Sequence, residues 1–264
     1  MAMLASFWRN RRLILQMSQR EVVGRYRGSV MGLAWSFFNP LLLLSVYTFV
    51  FSTVFKPRWG TGSESKAVFT IMLFVGMIVH GLFAECINRA PALILGNVNY
   101  VKKVVFPLEV LPWVAMGSTL FHSGVSVIAL LTAQLILSHS LPWTALLLPV
   151  IVLPLVFVTM GFSWFLAATG VFMRDIAQTT GIFTTVLMYL APVFYPITAL
   201  PEKYRPWMQI NPLTFIIEQA RQVLVRENLP DWSGLAIYCA ISLLIAWLGF
   251  WWFQKTRKGF ADVL

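Results

Sequence analysis

Charged residues are scarce in this chain: Asp, Glu, Lys and Arg make up 11% of its 264 positions, against 58% hydrophobic residues. So few charges over this length exclude a water-soluble domain with an ordinary polar surface. Cysteine is also rare, with Cys86 and Cys239 as the only two. They form no zinc, haem or redox pattern, and their places in the apolar runs put them in opposite leaflets, so we expect no disulfide within one subunit.

Aspartate is the rarest charged residue, and Asp175, Asp231 and Asp262 stand far apart. A metal-dependent sugar transferase needs paired aspartates to hold a nucleotide diphosphate, so we expect no such activity here. The phosphate-binding pattern G-x-x-x-x-G-K-[ST] is also absent from the sequence. This absence excludes ATP binding and hydrolysis by that route in the chain itself.

Histidine occurs only at positions 80, 122 and 139, which weighs against an intramembrane serine hydrolase. Ser163 lies in an apolar run, where a buried nucleophile could sit. A serine nucleophile needs a histidine within hydrogen-bond reach, and none of the three lies in the last apolar run. Ser163 is better explained as a small packing residue that bonds its own helix backbone, and the hydrolase stays as an alternative function.

Six apolar runs are long enough to cross a bilayer, which takes about 20 residues in a helix. They cover residues 31–55, 68–87, 113–137, 143–172, 179–197 and 235–253. The sequence therefore predicts an all-α integral membrane protein with six transmembrane helices. We interpret residues 1–264 as one transmembrane domain, with an interface helix and turn in 1–30, the bundle in 31–253 and a cytoplasmic tail in 254–264.

The distribution of the 20 Lys and Arg residues predicts the orientation of the chain. Most of them precede the first run, follow the second and fourth, or follow the last. Because Lys and Arg concentrate in cytoplasmic segments, both termini are predicted to lie in the cytoplasm, and the protein in a bacterial inner membrane. The net charge of +10 is thus explained by topology, and we expect no nucleic-acid partner.

The first 27 residues predict a basic amphipathic helix. Apolar residues recur with helical spacing at Phe7, Trp8, Ile14, Leu15 and Val22. Such a helix lies in the membrane interface, with its arginines toward anionic headgroups and its apolar stripe in the acyl boundary. It either anchors the chain or docks a partner. Gly24, Gly28 and Gly32 then favour a sharp turn into the first span, with close helix packing as the other interpretation.

The segment after the second span predicts a short helix on the cytoplasmic surface. Pro91 can start a helix, Gly96 and Asn97 permit a break, and Pro107 precedes the return to the membrane. At the end of the span itself, Glu85 and Arg89 stand one turn apart and are predicted to neutralise each other.

The segment from 188 to 226 combines apolar residues with prolines at 192, 196, 201, 206 and 212. Irregular backbone at membrane depth is tolerated only where it is buried in protein or lines a cavity. The segment therefore indicates a pore mouth beside the last span. Within it, residues 213–224 predict an amphipathic helix, in which Glu218 and Arg221 can pair.

A set of motifs runs through almost the whole chain in a fixed order. They are RYRGS at 25–29, GLAW at 32–35, PL at 40–41, NVNYVKKVV at 97–105, FPLEVLP at 106–112, Pro192, YP at 195–196, LPE at 200–202 and NPLT at 211–214. With these motifs the sequence resembles the permease subunit of a type 2 ATP-binding-cassette exporter. The resemblance is to the polysaccharide branch, which includes O-antigen, capsule and teichoic-acid transporters.

The resemblance implies a homodimer that works with two copies of a separate ATPase, which would bind the ATP and Mg²⁺. The complex, surrounded by membrane lipids, would move a lipid-linked polysaccharide from cytoplasm to periplasm. O-antigen is the first expected cargo. Capsule, teichoic acid, or a small lipid or drug is the alternative cargo, and a non-transporting membrane scaffold is a more distant alternative.

The resemblance also implies roles for particular residues. The resemblance places two ATPase-docking helices at 8–23 and at about 96–105. The docking residues would be Trp8, Arg12 and Leu15 on the first helix, and Asn97, Asn99, Tyr100, Lys102 and Lys103 on the second. A periplasmic gate of short helices would include Pro196, Pro201, Asn211, Pro212, Glu218 and Arg221.

Aromatic side chains suit a channel for a hydrated polymer, because ring faces pack on sugars without fixing their position. The candidate lining residues are Trp35, Phe38, Tyr47, Tyr189, Phe194 and Tyr195. Aromatic residues make up 15% of the chain, however, and interface belts are their commoner use in membrane proteins. Lipid-facing positions therefore remain the alternative for each of them.

Overall fold

The computed structural model describes residues 2–50, 66–102, 106–138 and 141–264. Within these ranges the chain is helical and contains no strand, as the sequence predicts. The helices are α1 (Ala2–Arg25), α2 (Trp35–Phe49), α3 (Lys66–Arg89), α4 (Ala92–Leu95), α5 (Val98–Lys102), α6 (Leu111–Ser138), α7 (Leu148–Phe172), α8 (Ile176–Tyr189), α9 (Arg205–Ile210), α10 (Pro212–Leu224), α11 (Trp232–Thr256) and α12 (Phe260–Val263).

Four helices of the described chain are long and apolar enough to cross a membrane. Their apolar spans are Val68–Arg89, Leu108–Ile136, Trp143–Phe172 and Trp232–Val263, formed mainly by α3, α6, α7 and α11. Each covers one of the predicted runs, and the third has the bounds predicted for the fourth run. Pro149 is tolerated there because it lies in the first turn of α7, where a backbone N–H has no intrahelical partner. The chain is therefore a multi-pass membrane protein.

The first and fifth predicted spans form shorter helices. α2 covers Trp35–Phe49, and residues 51–55 of the predicted run lie outside the described residues. α8 covers Ile176–Tyr189, so the predicted span 179–197 is wrong at its C-terminal end. Pro192 and Pro196 lack a backbone N–H and disfavour helical conformation in the residues before them, so the chain turns after Tyr189. The six-span count stays a prediction.

α7 and α11 cross at two glycines, which bring their backbones very close. A Cβ atom on Gly249 would lie 2.0 Å from the carbonyl oxygen of Gly161, and one on Gly161 would lie 2.6 Å from that of Ile245. Small residues allow such approach in a bilayer, where helix association depends on van der Waals packing because lipid is as apolar as the side chains. Beside the crossing, buried Trp164 packs edge to face on Phe250, with ring centroids 5.1 Å apart.

α10 packs inside the bundle against α3 and α7. Its apolar residues Leu213, Ile216, Ile217, Ala220, Val223 and Leu224 are at most 1% exposed. Side chains from other segments bind its last carbonyls: Gln134 Nε2 donates to Leu224 O at 2.9 Å, and Thr144 Oγ1 donates to Val223 O at 2.5 Å. The helix predicted at 213–224 is thus confirmed to within one residue.

α1 lies along the start of α6. Ile14 is buried against Val110 and Val114, and Ser18 Oγ donates to Val114 O at 3.2 Å. Gly117 permits this contact, because a Cβ atom there would lie 2.4 Å from Ser18 Oγ. The helix therefore packs on protein along one face.

The predicted apolar stripe of α1 is only partly covered by protein. Val22 is 7% exposed at the packed face, which also includes Ile14, whereas Trp8 and Leu15 are 66% and 60% exposed. Residues seven apart differ by only about 20° around a straight helix, so Val22 lies at the edge of the packed face and Leu15 and Trp8 lie just outside it. The apolar side of α1 is therefore wider than its contact with α6, and the rest of it is left exposed.

The turn from α1 into α2 uses two glycines. Gly28 and Gly32 have φ of +87° and +53°, a backbone conformation that favours glycine over any residue with a Cβ. A Cβ atom at either position would meet nothing within 4 Å, so close packing is not their role. The predicted turn is confirmed here, while Gly24 lies within the last turn of α1.

The segment after α3 forms two short helices. The predicted helix start at Pro91 and break at Gly96 and Asn97 are confirmed, and the helix predicted at about 96–105 begins at Val98. Gly96 caps α4 and α5 begins at Val98, because Asn97 Nδ2 turns back to donate to Leu93 O at 2.8 Å. Residues 103–105 lie outside the described residues. α4 packs on α7, where a Cβ atom on Gly170 would lie 2.5 Å from Pro91 O.

Candidate docking, channel and gate surfaces

Glu109 connects the two ends of the chain. Its carboxylate accepts hydrogen bonds from Ser6 Oγ and from Arg257 Nη1, both at 3.1 Å, and its backbone oxygen accepts one from Trp164 Nε1 at 3.1 Å. Both chain termini therefore lie at one end of the bundle, here called the terminal end. The sequence reasoning missed this residue, although an acidic residue inside the apolar stretch 106–112 was a usable signal.

Four charged residues connect α1 to the end of α3 at the terminal end. Glu21 pairs with Arg89 and Arg25 pairs with Glu85, and Arg89 Nη1 also lies 3.6 Å from Glu85 Oε1. The predicted local pair of Glu85 and Arg89 is therefore confirmed, but both residues have closer partners on α1. The four side chains are 26–39% exposed, so each pair contributes about 1 kcal/mol or less.

The predicted docking residues lie on exposed parts of the terminal end. Trp8, Arg12, Leu15, Asn99 and Lys102 are exposed, Asn97 and Tyr100 are half-buried, and Lys103 lies outside the described residues. A groove of about 270 Å³ separates α1 from α4 and α5, and Arg20, Glu21, Asn97 and Tyr100 are among its lining residues. Trp8 and Arg12 do not line it, since they lie nearer the start of α1. The structure thus brings α5 beside the second half of α1.

Three of the six predicted channel aromatics form one cluster at the C-terminal end of α8 and in the loop after it. The Tyr189 and Phe194 ring centroids lie 5.8 Å apart, and the Tyr195 hydroxyl donates to Tyr189 O at 2.5 Å. The other three are on α2, where Phe38 is 43% exposed and Trp35 is half-buried. Tyr47 lines a separate cavity with both polar and apolar residues in its wall, between α2, α3 and α6. The six residues therefore occupy more than one surface.

Arg221 anchors the predicted gate segment in the bundle. It is 0% exposed, and its Nε and Nη2 atoms donate to the backbone oxygens of Met72 at 3.0 Å and Val193 at 3.1 Å. Its Nη1 atom donates to Glu218 Oε1 at 2.9 Å. Gly76 leaves room for it, since a Cβ atom there would lie 3.3 Å from Nη2. The predicted pairing within α10 is present, but the bonds to α3 and to the loop after α8 are not readable from the sequence.

Asn211 joins the start of α10 to α8. Its Oδ1 atom accepts a hydrogen bond from Leu213 N, and its Nδ2 atom donates to Leu187 O, both at 2.9 Å. Pro212 follows in the first turn, where the missing donor costs nothing. Pro196 and Pro201 each precede one turn of 3₁₀-helix in the loop between α8 and α9. The four predicted gate residues other than Glu218 and Arg221 thus cap or start helical segments.

Comparison with known proteins identifies the fold family. Residues 12–225, which are most of the chain, match the family described as ABC-2 type transporter. The chain belongs to this family. The matched region begins in α1 and ends just after α10, so it includes the groove, the aromatic cluster and the gate segment.

The chain is similar to named permeases over nearly its full length. It is 27% identical to the O-antigen export system permease protein RfbA of Myxococcus xanthus, with 98% of each chain covered. It is 25% identical to the protein of the same name from Klebsiella pneumoniae, covering 96% of this chain and 95% of the relative. The polysialic acid transport protein KpsM of Escherichia coli is 19% identical, over 87% and 88% of the two chains.

The two described histidines, His80 and His122, make their contacts elsewhere and form no hydrolase site with Ser163. Ser163 is 2% exposed on α7, close to the crossing with α11. His80 Nε2 contacts Thr184 O at 2.9 Å, and His122 Nδ1 lies 3.4 Å from the Tyr26 hydroxyl. His139 lies outside the described residues. Ser163 therefore fits the role of a packing residue at a helix crossing.

Proposed function

We propose that this chain is the membrane subunit of an ATP-driven exporter that moves a lipid-linked polysaccharide, of the O-antigen class, from cytoplasm to periplasm. The observation that carries the proposal is the full-length similarity to O-antigen export permeases from two organisms. Two copies of the chain would form the channel, and two copies of a separate ATPase would bind ATP and Mg²⁺. The terminal end would face the cytoplasm of a bacterium, with six spans in its inner membrane.

The contacts at the terminal end support a mechanical route from ATPase to membrane. A partner that holds the exposed face of α5 would push on α4, whose Ile94 is fully buried and whose flank packs on α7. A partner that holds α1 would act on α6 through Ser18 and on α3 through the pair of Glu21 and Arg89. Since a ligand shifts an equilibrium only by binding two states differently, the ATPase must hold these helices differently with and without ATP.

Exposed apolar residues on α2 and α8 support a second copy as the partner inside the membrane. Leu42, Val46 and Phe49 on α2, and Ile182, Phe183 and Val186 on α8, are all at least 45% exposed. We place the channel between the two copies, with Phe38 and the cluster of Tyr189, Phe194 and Tyr195 along it. Ring faces at these positions would let a sugar polymer slide, because stacking tolerates many orientations. The segment from Pro196 to Arg221 would close the periplasmic mouth.

The experiment that tests the proposal is co-expression with the ATPase encoded beside this chain, followed by purification of the complex. ATP hydrolysis would be measured with and without lipid-linked glycan. We expect hydrolysis to rise with the glycan, and this response to be lost when Lys102→Glu and Lys103→Glu are combined, because the reversed charges would disturb the ATPase contact. Lys258→Glu is the matched control, since Lys258 is an exposed lysine at the terminal end outside the proposed docking surface.

The outcomes separate the proposal from its rivals. If no ATPase co-purifies, the exporter proposal fails. If hydrolysis responds equally to the lipid without its glycan, the cargo is a small lipid and the polysaccharide assignment is wrong. If the double lysine variant and Lys258→Glu behave alike, α5 does not couple the two subunits.

A further inference from the structure

A cavity of about 330 Å³ lies between α2, α3 and α6. It is here called the polar cavity for the polar groups on one part of its wall, although apolar atoms, such as those of Leu43 and Phe74, form most of the lining surface. Its polar lining residues include Arg25, Tyr26, Ser36, Asn39, Glu85, His122, Ser123 and Ser126. Arg25 is paired with Glu85, and Glu85 is close to Arg89, which pairs with Glu21, so this network of two cations and two anions carries no net charge. Polar groups at membrane depth are costly unless they meet partners or a polar cavity, which marks this space as a candidate binding site.

His122 contributes an unsatisfied atom to this cavity wall. Its Nε2 atom is buried and has no hydrogen-bond partner in the part of the chain that the structure describes. Its other ring nitrogen lies 3.4 Å from the Tyr26 hydroxyl. Buried side-chain polar atoms usually have a partner, so a rotation of the ring that turns Nε2 toward the cavity would let a polar group of a bound ligand complete it.

An apolar cavity of about 370 Å³ adjoins the polar one, between α3, α6, α7 and α10. Its lining residues are apolar except for Ser123. Ile78, Leu82 and Ser123 line both cavities, so the two spaces adjoin at the contact between α3 and α6. A cavity with polar groups beside an apolar cavity fits an amphiphile, and each volume lies at the low end of the range for small-molecule sites.

We propose that the two cavities together bind one zwitterionic phospholipid of the surrounding membrane. Its head group occupies the polar cavity, and one acyl chain occupies the apolar cavity. Charge complementarity selects the head group: paired Arg25 and Glu85 match one phosphate and one ammonium group. A diphosphate head would meet Glu85 with no excess of positive charge to compensate for it. This inference stands independently of the exporter function.

Two glycines allow each cavity to be filled by design. Gly81 lines the polar cavity and Gly124 lines the apolar one, and a Cβ atom at either would meet nothing within 4 Å. Gly81→Leu and Gly124→Leu would therefore add a side chain to the wall of each cavity at a position where its Cβ atom meets no protein atom. Gly181 on α8 lines neither cavity and is equally free around its Cβ position, which makes Gly181→Leu the matched control.

The test uses the full chain in vesicles that contain phosphatidylethanolamine with a photoactivatable diazirine on its acyl chain. Labelled peptides would be located by mass spectrometry. We expect labelling concentrated on residues 75–82 and 120–128. Gly124→Leu should reduce it about tenfold, equivalent to about 1.4 kcal/mol of binding free energy, and Gly181→Leu should leave it unchanged. Gly81→Leu should reduce it as well, because the head group loses its space.

Three results would overturn the proposal. The first is equal labelling of Gly124→Leu and Gly181→Leu. The second is equal labelling by phosphatidylglycerol with the same chain, which would remove the charge selection. The third is displacement of the phospholipid by stoichiometric polyprenyl diphosphate, which would assign the site to a transported lipid. Labelling needs no ATPase, so failure of the phospholipid proposal is distinguishable from failure of the exporter proposal.

Discussion

The buried pair of Glu218 and Arg221 allows a sharp test of how α10 is held. Arg221 is fully buried, while the Glu218 side chain is 24% exposed. Removing one partner of a buried pair costs about 3–5 kcal/mol, because a charge is left without its counter-ion. Glu218→Ala would leave the guanidinium in place, and since Glu218 reaches solvent we expect the lower end of that range, about 3 kcal/mol.

Replacing Arg221 itself has a different effect. Arg221→Met removes the buried charge and leaves the backbone oxygens of Met72 and Val193 without this donor. Met72 lies within α3, where its oxygen keeps a helical partner, so the loss falls chiefly at Val193 and costs about 2 kcal/mol. The double variant Glu218→Ala with Arg221→Met should be no less stable than Glu218→Ala alone, because residues in one network are not additive. Arg205→Met is the control: Arg205 also bonds a backbone oxygen, that of Leu200 at 3.1 Å, but its side chain is 36% exposed, so its loss should cost about 1 kcal/mol or less.

Thermal unfolding of the purified protein in detergent, followed by tryptophan fluorescence, measures these differences. A loss of about 3 kcal/mol should lower Tm by about 6 °C or more for a chain of this size. If Glu218→Ala has the same Tm as Arg205→Met, the ion pair does not hold α10 in the bundle. If the double variant is less stable than the parent by the sum of the two single losses, the two residues act independently.

Three further predictions concern other contacts in the bundle. Gly249→Leu should prevent α7 and α11 from approaching at Gly161 and yield aggregated protein on size-exclusion chromatography, whereas Gly181→Leu should elute as the parent does. Glu109→Gln should lower the free energy of unfolding by about 1–2 kcal/mol, measured by thermal melting, because the charge facing Arg257 is lost while a hydrogen-bond acceptor remains. Asn211→Ala should cost about 2 kcal/mol in the same assay, because the cap of α10 and the bond to α8 are lost together; a change below about 0.5 kcal/mol would contradict this account.

The sequence predicted the elements of the fold that depend on local chemistry. The span at 143–172 and the helix at 213–224 were both predicted to within one residue, because apolar length and helical spacing are local properties. The turn at Gly28 and Gly32 was predicted for the same reason. The C-terminal end of the fifth predicted span was wrong because apolar composition outweighed the prolines at 192 and 196.

Residue partners that lie far apart in the sequence were not predictable. Glu85 and Arg89 were expected to neutralise each other, but Arg25 and Glu21 reach them from α1. The helical periodicity of α1 located its apolar side. It did not show how much of that side a neighbouring helix would cover, because that depends on the packing with α6. The predicted channel residues were likewise chosen by type alone, and the structure places them on more than one surface.

The sequence by itself determined that the chain is a helical membrane protein, because a bilayer fixes the length of an apolar span and requires every backbone group in it to be bonded. It also determined the family, through motifs that keep their order. Only the tertiary structure decided that Glu109 meets Arg257 across 148 positions of sequence, and that Arg221 reaches Met72 across 149. The physical reason is that a buried charge takes whichever partner the packing of helices brings within reach, and that packing is not a local property.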